Sequence, residues 1–256
     1  MASSKASSLF FGIAALGLLA GCGAVFVNEG AKTNGLAMGL ADPDANKPKP
    51  VVPKGGNVIS DFEDGSKRIN PNLFGGSGGS WTTITWDNNT VPSDIIVPGG
   101  ANGTKMACHV FGTLIDHGNA SYPAFTLQGK FKNSGFYDAS AFTGIRFYYK
   151  CPADDNVNKR RFAIAIAPTL AAQDGGTCVN DCYNHFGAFQ SPSDDWVLKS
   201  YLFNELKRES GWGSPVVPPD FTDHLKEVSY IKWDHSGDNK PGAYKVDYWV
   251  DEVEFF

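Results

Sequence analysis

The sequence predicts an all-β fold, a jelly-roll β-sandwich in a single domain, and three observations predict it. The 256-residue chain carries 29 glycines, 15 prolines and 13% aromatic residues, which suits many short strands joined by tight turns better than a helical bundle. Nine strand-like runs follow one another from residue 57 onward, each punctuated by Gly, Pro, Asn or Asp. Within them side chains alternate with a period of two. Ile145, Phe147 and Tyr149 alternate with Arg146, Tyr148 and Lys150, and Phe162, Ile164 and Ile166 alternate with Ala163, Ala165 and Ala167, so each strand buries one face.

The chain opens with a secretory pattern. Lys5 is a sparse positive region, Leu9 to Ala20 is an apolar run too short to span a bilayer comfortably, and Leu19-Ala20-Gly21-Cys22 closes it on a cysteine. This stretch resembles a bacterial lipobox, which implies cleavage between Gly21 and Cys22 and lipidation of the Cys22 thiol. The expected product is an exported protein anchored to the bacterial membrane. Gly23, standing where an Asp would retain such a protein, is compatible with sorting to the outer membrane or cell surface. Loss of Lys5 takes the formal net charge of −5 one unit further negative, which disfavours nucleic acid as a partner.

Residues 22–56 read as a tether. Few aromatics occur there, and prolines and lysines from Asp42-Pro43 to Gly56 keep the stretch extended. Residues 57–256 form the folded domain, about 200 residues and enough for one sandwich. Its strands are expected at Asn57–Glu63, Trp81–Trp86, Lys105–Gly112, Tyr122–Gln128, Gly144–Cys151, Arg161–Pro168, Trp196–Phe203, Val228–Asp234 and Lys245–Phe256. Helical signal is confined to turns at Asn204–Glu209 and Asp220–Val228. In the last run Val246, Tyr248 and Val250 share one parity while Val253 and Phe255 share the other. A β-bulge near Asp251-Glu252 reconciles them.

Four cysteines follow Cys22: Cys108, Cys151, Cys178 and Cys182. An even number in an exported chain predicts two disulfides. Cys178–Cys182 with Cys108–Cys151 is the expected pairing, because so short a loop gains little from a distant partner. The competing reading takes Cys178, Cys182 and His185 as zinc ligands, although no fourth ligand stands nearby.

Val58-Ile59-Ser60-Asp61-Phe62-Glu63-Asp64-Gly65, Tyr137-Asp138-Ala139-Ser140, Phe142-Thr143-Gly144-Ile145-Arg146-Phe147 and Val250-Asp251-Glu252-Val253 resemble the galactose-binding-like jelly rolls. These include carbohydrate-binding modules such as the family-eleven glucan binders. The likeness spans Val58 to Phe256. It implies a structural calcium between the two chain ends, held by Glu63 and Asp251 with Asp61 as a third ligand; calcium takes oxygen donors.

Sugar binding needs flat aromatic faces beside hydrogen-bonding side chains. Arg146 and Tyr148 on the polar face of a central strand are expected to orient a glycan over a low floor of Ala163, Ala165 and Ala167. Trp212 between glycines is expected to stack on it, and His185, after a long loop, is expected to complete the carbohydrate-binding site. Trp81, Trp86, Trp196 and Trp233 are expected in the core. Gly75-Gly76-Ser77-Gly78-Gly79 matches a nucleophile elbow literally, but strand-like residues follow it where that motif needs a helix. Asp154-Asp155 and Asp194-Asp195 sit in turn-like surroundings, which favours solvated charge over glycosidase chemistry. The resulting expectation is non-catalytic carbohydrate binding. A protein-binding adhesive lipoprotein and a polysaccharide hydrolase or lyase are the alternatives.

Overall fold

The computed structural model describes residues 57–76, 78–85, 90, 95–118, 123–153 and 155–256. The signal, Cys22, the tether, Ser77, Trp86, Tyr122 and Asp154 lie outside the described residues.

Eleven strands are described: β1 (Val58–Ser60), β2 (Trp81–Thr85), β3 (Ile96–Pro98), β4 (Met106–Asp116), β5 (Ala124–Lys130), β6 (Gly144–Cys151), β7 (Lys159–Ile166), β8 (Phe186–Phe189), β9 (Ser193–Leu202), β10 (Val228–Ser236) and β11 (Gly242–Phe255). They form two antiparallel sheets. One runs β3-β4-β11-β6-β9 with β1 also on β11, and the other runs β2-β5-β10-β7-β8. This is the β-sandwich read from the alternation. The two turns read as helical are 3-10 turns, Phe203–Glu205 and Phe221–Glu227. Two short strands, β3 and β8, escape the sequence reading because three or four residues hold too little alternation to count.

β11 organises the first sheet. Its front half, Gly242 to Val250, pairs with β4. Its end pairs with β1 through Val253 and Glu254, and β6 runs along its other edge with a register shift between Asp251 and Glu254. Glu252 takes the left-handed φ of 45°. The bulge is therefore where the parity of the apolar residues requires it. Val246, Tyr248, Val250, Val253 and Phe255 are all buried, which a plain strand could not arrange.

Aromatic rings fill the space between the sheets. Phe147 meets Trp233 edge-on at 4.9 Å, and Trp81 lies 5.8 Å from Trp233. Trp81 and Trp233 occupy the core as expected, whereas Trp196 is half-buried at the sheet edge. A charged chain is buried as well. Arg160 pairs with Asp155 at 2.8 Å, the Nδ1–H of His235 donates to Asp155 at 2.9 Å, and the Tyr149 hydroxyl donates to His235 Nε2 at 2.8 Å. Each member has a partner, as burial demands. Burial pushes the Asp155 carboxyl up, but hydrogen bonds from His235 and the Asp247 amide, with the charge of Arg160, hold it below the usual range.

Trp81 stands opposite Gly129 on β5. A methyl group there would lie 2.6 Å from the indole, so only glycine admits the ring. Gly129→Ala is expected to cost about 1–3 kcal/mol through overpacking and to lower the melting temperature by several degrees. Calorimetry showing an unchanged melting temperature would refute this packing.

Candidate functional site

The structure separates the residues expected to form one groove. Arg146 and Tyr148 lie on the outer face of the β11-centred sheet, whereas Ala163 and Ala165 lie on the outer face of the other. β6 and β7 are consecutive in sequence but enter different sheets. The expected groove is therefore not formed. Arg146 is buried, ion-paired with Glu254 and set over the Phe256 ring, and Tyr148 is half-buried opposite Asp251. Ala163 and Ala165 are fully covered, Ala165 beneath Tyr230 and Leu170, and Ala167 begins a 3-10 turn.

His185 and Trp212 lie in two adjoining loops that cap the β7–β8 edge, joined through Asn184 beside His185. Residues 167–185 are tied down by the Cys178 amide on Leu170 O and the Tyr183 amide on Thr169 O, both backbone bonds. His185, fully buried, pins the cap to the sheet. Its Nδ1–H donates to Thr169 Oγ1 at 2.7 Å, and Nε2 accepts from the Tyr230 hydroxyl at 2.8 Å. Burial, reinforced by Lys232, Arg161 and Arg208, pushes the imidazole well below its ordinary range. His185 is thus a support rather than a ligand contact.

Buried Asn184 joins a second loop to the cap. Its amide donates to Trp212 O at 2.7 Å and Glu209 O at 2.8 Å, and its oxygen accepts from the Glu209 amide at 2.9 Å. Gly211 and Gly213 flank Trp212, both at φ 88°, and a Cβ on Gly213 would lie 2.7 Å from Asn184. The tight turn leaves Trp212 45% exposed. Tyr183, at the unusual φ of 75°, is 39% exposed. Its hydroxyl donates to Asp174 at 2.6 Å, and that bond raises the phenol pKa. Beside Asp174 is a cavity of about 240 Å³ lined by Lys130, Asn133, Ser134, Phe136 and Ser229. Tyr183, Phe136 and this cavity were not read from the sequence. The one available signal was a tyrosine following Cys182.

The opposite face also carries aromatics, among them Phe111, which is 42% exposed. One face of Trp249 is taken by His109 at 3.8 Å, and Lys150 Nζ sits 5.0 Å from the ring centroid. The shallow depression of about 370 Å³ beside Phe111 and Asp247 borders the stacked rings of His109 and Phe111, 4.5 Å apart.

Cys178 and Cys182 form a disulfide with Cα atoms 5.7 Å apart, which removes both from the zinc reading. Cys108 and Cys151 are buried and free, a correction to the expected second bridge. Cys108 lies on β4 and Cys151 on β6, with β11 between them. Two strand spacings are about 10 Å, beyond the reach of about 7 Å for bridged Cα atoms. Burial pushes the Cys151 thiol up to about 11. Cys151, Asp155 and His235 cluster closely, but Arg160 already neutralises Asp155.

The acidic residues at the two chain ends converge on one turn. Asp251 accepts from the Ala101 amide at 2.8 Å and the Thr104 hydroxyl at 2.6 Å. Glu63 accepts from the Lys105 amide at 2.5 Å and the Met106 amide at 2.8 Å. Asp61 is exposed and accepts from the Glu63 amide at 3.3 Å. Burial, with Glu252 adding repulsion, pushes Asp251 up to about 6. The carboxylates of Glu63, Asp251 and Glu252 and the Thr104 hydroxyl are oxygen donors of the kind a hard cation takes, although among the described residues no three of these acidic groups lie within 4.8 Å of one another.

Gly75 and Gly76 belong to a turn leading into β2, and no helix follows as a nucleophile elbow requires. Asp194 is exposed and accepts from the Ala153 amide.

No family model matches the chain, and no curated protein matches it. Several solved structures resemble it, carbohydrate-binding modules among them. A family 11 carbohydrate-binding module of a cellulosomal cellulase from Clostridium thermocellum is 16% identical, over 69% of this chain and 86% of that one, at a TM-score of 0.48. A Clostridium thermocellum family 11 module in complex with a β-1,3-1,4-mixed-linked tetrasaccharide is 17% identical, over 78% and 94%, at 0.46. A xylan-binding domain from Paenibacillus barcinonensis is 14% identical, over 80% and 96%, at 0.39. Similarity this distant concerns the sandwich alone.

His185 and His235 are both fully buried with lowered pKa values, burial being the largest cause. The unfolded chain binds their protons below about pH 6.5 while the folded chain does not. Each therefore costs up to about 1.4 kcal/mol of stability per pH unit on further acidification, until its folded pKa is reached. Asp251 runs the other way, because its raised pKa favours folding at acid pH and that gain is lost as pH rises through about 6. At pH 6.5, where an ordinary imidazole is about half protonated, nitrogen NMR is expected to show both imidazoles predominantly neutral with Nδ1 protonated. An imidazolium at either position would refute the assigned network.

Proposed function

We propose that the protein is an exported lipoprotein whose sandwich binds carbohydrate without cleaving it, through the aromatic rim of the cap. The observation that carries this reading is the exposure of Tyr183 and Trp212 on backbone that Asn184, His185 and the disulfide hold in place. Rigid exposed rings lose little entropy when a pyranose face stacks on them. The neighbouring cavity supplies the hydrogen-bonding groups of Lys130, Asn133, Ser134 and Asp174. Arg146 and Tyr148 are not part of this site.

A binding role suits the cavity better than hydrolysis. Glycosidase chemistry places two carboxyls across a sugar, and the cavity is lined by one, Asp174, engaged by Tyr183. The lipobox-like Leu19-Ala20-Gly21-Cys22 and the tether to residue 56 support display from a membrane, with Gly23 favouring the outer membrane or cell surface.

Trp212→Ala is expected to leave the melting temperature unchanged and weaken polysaccharide binding at least tenfold, about 1.4 kcal/mol. Affinity electrophoresis against mixed-linkage glucan, xylan, mannan and pectin measures it. Silence across the panel would move the assignment to a protein-binding lipoprotein, which the exposed Val179 and Val217 would favour.

Calcium is the proposed staple of the chain ends, held by Glu63 and Asp251 with Asp61 beside them. At a hundredfold excess over Kd it would add about 2.7 kcal/mol, a rise of about 5–10 °C for a domain of this size. A melting temperature indifferent to calcium and chelator would exclude the staple. Asp251→Asn, which keeps an acceptor oxygen, should abolish the calcium increment.

A further inference from the structure

We propose that the Cys178–Cys182 bridge is the latch that holds Trp212 in its binding pose, so that opening the bridge switches the glycan site off. The proposal rests on the reading of the cap as the site and adds how that site is regulated.

The small loop closed by the bridge presents two carbonyls to the second loop. Ser214, two residues beyond Trp212, donates its hydroxyl to Asn180 O and its amide to Asp181 O at 3.3 Å. On its other side Trp212 is held through its own carbonyl by Asn184. Between and beyond these anchors stand Gly213 and Gly211, both in left-handed backbone. The turn has little stiffness of its own, since glycine adopts many conformations at similar energy. The pose of Trp212 therefore depends on Asn180 and Asp181 staying where they are.

Those two residues stay in place because the bridge closes around them. Asp181 is a non-glycine residue at φ 46°, and Tyr183 just outside the bridge is at φ 75°. Side-chain-bearing residues leave that region when the surrounding structure stops enforcing it. Opening the bridge frees the loop to relax, and Ser214 loses both partners together. The sheet does not depend on the bridge. The Thr169–His185–Tyr230 chain and the backbone bonds of the Cys178 amide to Leu170 O and the Tyr183 amide to Thr169 O do not use the bridge and flank residues 179–182 on both sides, so loss of the latch is confined to that segment.

Cys182 is only half-buried, and Val179, next to Cys178, is 86% exposed, so a small dithiol reaches the bridge. Its thiolate attacks one sulfur and the S–S bond breaks. Its second thiolate resolves the mixed disulfide, leaving two protein thiols and the reagent oxidised to its own disulfide. Cys108 and Cys151 are already free and buried, so the change is confined to the cap.

The test treats the whole mature chain with dithiothreitol and compares it with untreated protein and with a Cys178→Ser/Cys182→Ser double variant. Hydrogen exchange at the Ser214 amide reads the latch without any sugar, and affinity electrophoresis in mixed-linkage glucan, xylan, galactomannan and polygalacturonate reads the site. Near-ultraviolet circular dichroism checks that the sandwich stays folded. The expected result is at least tenfold faster exchange at Ser214 and at least tenfold weaker binding in both opened forms. Ser214→Ala, with the bridge intact, should weaken binding in the same direction. Unchanged exchange at Ser214 after reduction overturns the latch, and so does faster exchange with binding retained. If the oxidised protein binds none of the four polysaccharides, the glycan reading and the switching claim both fail, while the exchange rate still decides whether the bridge holds the Trp212 loop.

Discussion

The register change in β11 is the constraint on which the rest of the structure depends. One strand of 14 residues pairs with β4, β1 and β6, and its apolar side chains reach the core on both sides of the bulge only because Glu252 adopts a left-handed conformation. The same bulge sends Asp251 away from the core and under the turn of Ala101 and Thr104. A local packing requirement thus also sets the acidic convergence of the two chain ends.

The second sheet shows how burial of polar groups builds a surface. His185 has a hydrogen bond at each ring nitrogen, so a fully buried imidazole carries no unsatisfied atom. Asn184 uses its amide in the same way to bind the two loops together. These residues touch no proposed ligand, but they fix the backbone beneath Tyr183 and Trp212. Closing a loop as short as Cys178–Cys182 adds only about 2 kcal/mol by chain entropy, so the bridge acts more on local geometry than on global stability.

Legibility varied residue by residue. The β11 bulge was readable because side-chain parity is a local property, and a change of parity within one strand has few structural solutions. The Cys178–Cys182 bridge was readable for a related reason, since residues so close in sequence are rarely far apart in space. Cys108 and Cys151 misled because an even count of cysteines says nothing about an intervening strand. The union of Arg146, Tyr148 and the alanine row misled because alternation shows which side chains share a face, not which sheet that face belongs to.

By itself the sequence determined the sandwich class, the alternation of its strands, the bulge and the short disulfide, because each follows from contacts among residues near one another in the chain. Only the tertiary structure decided the order of strands, the isolation of Cys108 from Cys151 and the place of the rim. Asn184 and Ser214 tie the loop of Tyr183 to the loop of Trp212 there, contacts whose formation depends on the docking of β7 and β8. Non-local pairing of this kind is set by the packing of the whole core, and no window of the sequence contains it.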